Sequence, residues 1–162
     1  MKNLFISLIL VIGIVGCAAP SLKPPSDQSR DFSDRYAADF DVVWESVVDW
    51  FAVNNIPIKN IDKNSGLISS DYSLGSSFTQ VDCGTMDPGD MARLVDTNIT
   101  ANINVLVRSQ RDEVIVRPNV FGQGVYTLQS TWDNRLIYVR ADRCVTTGEL
   151  ENSLQTYLQA IF

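Results

Sequence analysis

Residues 99–108 alternate without a break: Ile99, Ala101, Ile103, Val105 and Val107 interleave with Thr100, Asn102, Asn104, Leu106 and Arg108. Successive side chains of a strand point to opposite faces, so this period of two predicts a strand with one face buried and one wet. Such a strand needs a partner and an apolar layer to lie on. Residues 114–121 supply an antiparallel partner across a turn at 109–113, and Pro118 within them suggests an edge position or a bulge. Gly122-Gln123-Gly124 suggests a further turn or bulge, and residues 125–130 a further strand. Residues 136–139 fit either a strand or the last turn of a short helix.

The apolar layer is written at helical spacing on either side of these strands. Val43, Val47, Trp50 and Phe51 recur every three or four residues, with Trp44 and Val48 widening the stripe, Asp41 placed to cap, and Asn54-Asn55 and Pro57 to stop it. Residues 35–40 read as a short strand leading in. Residues 56–61 and 67–72 flank Asp62-Lys63-Asn64-Ser65-Gly66, a hairpin-type loop. At the other end, Thr146-Thr147-Gly148-Glu149 matches the capping box, with Leu150, Leu154, Tyr157, Leu158 and Ile161 as the apolar stripe behind it. Residues 73–96, rich in Gly, Ser and Asp, read as a long loop, which in a compact domain is functional or tied down.

The N-terminus carries a different signal. Lys2 precedes an apolar run, residues 4–15, that is too short to span a membrane, which takes roughly 20 residues, but suits a signal-peptide core. It ends in Ile14-Val15-Gly16-Cys17, which resembles the lipobox of bacterial lipoproteins. The resemblance implies cleavage after residue 16, a diacylglycerol on the Cys17 sulfur and acylation of the new amino group. Each buried CH₂ would contribute about 0.8 kcal/mol to anchoring. Ala18, in place of aspartate, is similar to the sorting signal for the outer membrane. Residues 17–34 are Pro/Ser-rich and read as a lipidated cysteine and flexible tether reaching roughly 20–25 Å. Residues 35–162 are then one domain.

Without Lys2 the chain keeps 12 basic and 19 acidic residues, a net charge of −7. That balance argues against nucleic acid and against electrostatic adhesion to anionic lipid. In an oxidising compartment Cys83 and Cys144 read as one disulfide. Neither belongs to a CxxC, and no histidine exists to activate a thiolate.

Strand, helix, antiparallel strands and helix, in that order, predict an α+β two-layer sandwich with both helices on one face of the sheet. Tyr36-x-x-Asp39-Phe40-x-x-Val43-Trp44-x-x-Val47, followed by Ile58-x-x-Ile61-Asp62-x-x-Ser65-Gly66-Leu67-Ile68, resembles the start of helix-grip domains in outer-membrane lipoproteins, the lipoprotein C-subunit of the barrel-assembly machinery among them. The resemblance covers residues 35–72 and, in outline, the last helix. It implies a fold rather than a chemistry.

The absence of histidine removes Ser-His-Asp and Cys-His catalysis and imidazole metal sites. Asp82, Asp87, Asp90 and Asp96 lack calcium-loop spacing, and the serines at 69, 70, 73, 76 and 77 lack a nucleophile elbow. No catalytic residue, metal or cofactor is expected. Trp44, Trp50 and Phe51 form a thick core or leave one ring lining a helix–sheet groove. Trp132, beside Arg135, is either an exposed partner contact or edge packing. Three functions stay open: an accessory or scaffold protein of an envelope machine, anchored by lipid on the periplasmic side of the outer membrane; a carrier of an apolar ligand in the groove; or, last, an enzyme using the loop carboxylates, which clustered and buried aspartates would favour.

Overall fold

The computed structural model describes residues 18–26, 30–74 and 80–162, residues 71–74 as backbone only. The signal segment and Cys17 lie outside the described residues. In chain order the elements are β1 (Ser21–Lys23), β2 (Asp34–Tyr36), α1 (Phe40–Val53), β3 (Asn60–Asp62), β4 (Leu67–Leu74), β5 (Val81–Asp82), β6 (Thr85–Asp87), β7 (Ala92–Gln110), β8 (Glu113–Ser130), β9 (Leu136–Thr146) and α2 (Glu149–Gln159). Among the described residues a seven-stranded antiparallel sheet runs β3-β4-β7-β8-β9-β5, with β2 paired to one end of β8. Both helices pack on one face and touch each other there. The fold is the expected α+β sandwich.

The long β7–β8 hairpin organises everything else. Its two strands pair from Ala92↔Ser130 to Gln110↔Glu113 around a turn in which Arg111 takes a left-handed conformation. Ile99, Ala101, Ile103, Val105 and Val107 are all buried, as the alternation requires, and Val114, Val116 and Val120 meet them from β8. Pro118 takes an edge position within the sheet rather than a bulge. It lies between the part of β8 that pairs with β2 (114–116) and the part that pairs with β9 (122–129). The missing N–H therefore leaves no ladder bond unmade on that side.

Gly122 and Gly124 are a bulge and not a turn, because β8 runs straight through them while its register to β9 shifts. Their lack of side chains has a packing reason. A Cβ on Gly124 would meet the Cys83 Sγ at 3.2 Å, and one on Gly122 would meet the Val81 side chain at 3.3 Å. The Val81–Cys83 segment thus crosses the sheet at a notch. Cys83 is bonded to Cys144, the register partner of Gly122, and both sulfurs are buried.

Three expectations need correction. The described residues of 73–96 are mostly strand: β4 continues to Leu74, β5 pairs with the end of β9, β6 pairs with β1, and β7 begins at Ala92. The tether is partly stitched down, since Ser21↔Asp87, Leu22↔Met86 and Lys23↔Thr85 form an antiparallel pair, and Leu22 and Met86 pack on the core. The folded body also begins before residue 35: Phe32 is buried, and its carbonyl accepts a hydrogen bond from Gln155 Nε2 at 2.9 Å.

Both helix starts are displaced from the sequence reading. Asp39 caps α1, its Oδ1 accepting from the Asp41 N–H at 2.8 Å, so Asp41 sits in the first turn and favours the helix through its charge. At α2 the cap is Gly148 in a left-handed conformation, two residues after Thr146. Glu151, not Glu149, therefore occupies the third helical position that reaches back. Residues 131–135 are a turn, and residues 136–143 belong to β9.

Candidate functional site

The layer between helices and sheet is filled. Trp50, Phe51, Leu154 and Leu158 are fully buried, and the Trp50 indole donates to Ser153 Oγ at 3.3 Å, tying α1 to α2. Trp44 is buried as well, against Phe40. The cavity that remains at the end of this layer holds about 100 Å³ and is lined by Ile56, Ala101, Ile103, Val120 and Leu150 together with Asn54, Gln80 and Asn102. Ligand pockets for drug-sized molecules run to roughly 300–1,000 Å³. The mixed lining and small volume suit a few waters.

Among the described residues, Glu151 is the one charged residue sealed inside, with no exposed surface. Its Oε1 accepts from the Val120 N–H at 3.3 Å, and its Oε2 accepts from the Thr146 hydroxyl at 2.9 Å. Val120 lies on the stretch of β8 left open between β2 and β9, so the carboxylate satisfies a backbone donor that no strand reaches. Burial pushes its pKa above the ordinary carboxylate value, and the bonds to Thr146 and Val120 pull it partly back. The sequence signal was the spacing of Glu151, Leu154 and Leu158, one inward face of a helix.

The other face of the sheet carries no element among the described residues. Asn98, Thr100, Asn102 and Asn104 of β7 stand beside Asn119, Phe121, Gln123 and Val125 of β8 in register. β9 adds Tyr138, 63% exposed, and Arg140. A shallow depression of about 310 Å³ is lined by Thr100, Asn102, Phe121, Gln123 and Asp142. This surface is rich in amide and hydroxyl groups, with two aromatic rings and few charges. Phe121 and Tyr138 escaped the sequence reading because nothing in an alternating strand tells which face is left uncovered.

Trp132 lies in the β8–β9 turn and is 84% exposed, so it is not edge packing. Arg135 is ion-paired through Nε to Asp133, whose carboxyl is held below its ordinary pKa by the Ser130 hydroxyl and by Arg135. Asp82, Asp87, Asp90 and Asp96 are all exposed and are not brought together. Asp82 Oδ1 accepts from the Gly84 N–H at 2.7 Å and Asp87 Oδ1 from the Gly89 N–H at 2.9 Å, which makes them turn formers. Among the described residues no three His, Cys, Asp or Glu side chains are placed to share a metal ion, and no helix is long and apolar enough to cross a membrane. No protein-family model and no curated protein sequence matches this chain.

Proposed function

We propose that this chain is a lipid-anchored, non-catalytic accessory protein on the periplasmic side of the outer membrane, acting as a docking subunit of an envelope machine. Its anchor is an acylated Cys17, and its partner surface is the uncovered face of the sheet. The observation that carries this reading is the contrast between the two sheet faces: one is filled by both helices, the other is open along β7, β8 and β9. Interfaces of non-obligate partners combine aromatic anchors with satisfied polar groups, and the set Asn104, Asn119, Phe121 and Gln123 has that composition. The acidic body leaves attachment to lipid and apolar contact rather than to charge. The carrier reading loses ground to the filled helix–sheet layer, whose remaining cavity is about 100 Å³.

Site-specific photocrosslinking in cells tests the proposal. A probe at Gln123 or Asn119 should give a discrete adduct with the same envelope protein, and a probe at Glu45, exposed on α1, should not. Equal yields from both faces, or none from either, would sink the docking reading.

A further inference from the structure

We infer that the apolar end of the β7–β8–β9 sheet lies in the interfacial layer of the membrane that holds the N-terminus, so that the domain is seated on lipid rather than standing off it. The inference rests on the proposed acylation of Cys17 and extends it.

Three segments meet at that end. The Gly89 backbone lies so close to Ala18 that a Cβ on it would stand 2.3 Å from the Ala18 carbonyl oxygen. Met91 follows two residues later, at most about 7 Å along the chain, and its carbonyl accepts the Thr131 N–H at 2.9 Å. Trp132 comes next. Cys17 is one peptide unit from Ala18, about 4 Å between Cα atoms. Ala18, the residue that follows the proposed lipid attachment point, and the exposed tryptophan are thereby held at the same end of the molecule by backbone contacts, the β1–β6 pair among them.

The surface around them is apolar on both sides of the sheet. Met91, Leu94, Val95, Trp132, Leu136 and Tyr138 are all exposed, although the same strands bury their apolar residues further along. A register shift between Leu94 and Asp96 lies among them. Charges nearby are balanced: Asp90, Asp96 and Asp133 stand near Arg93, Arg135 and Arg140, with Arg135 already paired to Asp133 and Arg93 bonded to Gln129. Contact with lipid would therefore be made by insertion of side chains and not by attraction to anionic head groups. Tryptophan and tyrosine favour the head-group level, where the ring is in an apolar setting and the polar tip stays wet. Interfacial elements enter roughly 5–10 Å deep, a depth that side chains of this end reach if Cys17 is at the head groups.

The chain supplies its own reporter. Of its three tryptophans, Trp44 and Trp50 are buried and Trp132 is exposed. The full-length protein, extracted from membranes, is weighed intact and then reconstituted in vesicles of phosphatidylethanolamine and phosphatidylglycerol with and without brominated acyl chains. An acylated mass is expected, together with quenching of Trp132 by brominated lipid that disappears in Trp132→Phe. Acylated protein whose quenching is unchanged by that substitution, with Trp132 open to acrylamide, overturns the seating and leaves the anchor standing. An unacylated mass removes the anchor and the inference with it. A crosslink in cells from position 132 to one protein, without lipid quenching in vesicles, gives this end to a protein partner and overturns the proposal too.

Discussion

The two ends of the β7–β8 hairpin share strands, but the register shifts at a bulge between Leu94 and Asp96, and the ends meet different environments. Toward the turn at residues 111–112, Val105, Val107, Val114 and Val116 are closed off on the face that carries α1 and α2, and exposure begins only at Arg108. Toward Ala92 and Ser130 the helices no longer cover the sheet. The small β1–β6 pair and the Cys83 segment cover part of it, Tyr126 donating its hydroxyl proton to the Gly84 carbonyl at 2.9 Å. Ala92 and Leu128 stay buried there, while Leu94 and Val95 are exposed. Alternation in a strand therefore says that one face is suited to burial. Whether it is buried depends on what the rest of the chain brings to it.

Substitutions at the two ends should separate them most strongly. Trp50→Ala empties the covered end and should cost about 3–5 kcal/mol, whereas Trp132→Ala at the open end should stay within about 0.5 kcal/mol. Urea unfolding followed by circular dichroism gives both values. Equal losses would mean that the open end is as structural as the covered one.

The disulfide is the next largest effect. Cys83 and Cys144 are separated by 61 residues, and closing such a loop contributes roughly 4 kcal/mol in the chain-entropy model. The double Cys83→Ala, Cys144→Ala variant should unfold at lower urea. It should also expose Met86 and Leu22 to hydrogen exchange before α1 opens, because those residues belong to the part of the cover that the bond holds down. Uniform exchange across both ends would contradict the division.

A smaller effect belongs to Glu151. Because its native pKa is raised above the ordinary 4.5, the folded chain binds the proton more tightly than the unfolded chain. The sign follows: the advantage is fully present below 4.5 and is lost as pH rises through the raised native value. Glu151→Gln removes the titration and keeps an acceptor for the Val120 N–H. Relative to this variant, the natural chain should lose stability from about the ordinary carboxylate value upward and run parallel below it. Superimposed curves would show that the carboxylate carries no burial cost.

Much of the covered end was legible in the chain. The period of two in 99–108 and the helical stripe of Val43, Val47, Trp50 and Phe51 report burial directly, and Cys83 and Cys144 found each other by elimination. What stayed hidden was decided by backbone contacts between distant segments. Ser21–Lys23 and Thr85–Asp87 have no side-chain period of their own; their ladder is main chain to main chain, so Pro, Ser and Gly around them read as linker and loop. The α2 start was displaced because Gly148 adopts a left-handed conformation that no local propensity announces, which moves Glu151 inward. Trp132 fitted two readings, and its exposure depends on a turn whose neighbour, Met91, comes from elsewhere in the chain.

The β1–β6 pair has a mechanical consequence. A pull on the N-terminal end is borne first by the three-residue ladder from Ser21 to Lys23. Gly84 and Cys83 come immediately before β6, and the Cys83–Cys144 bond leads straight into β9. Tension entering at Ala18 therefore reaches the central sheet across a covalent link, bypassing the residues between Lys23 and α1. The hydrogen-bonded clasp would yield before the body is strained, which makes β1 a release point; once it opens, the load leaves the disulfide and passes along the main chain toward β2 and α1.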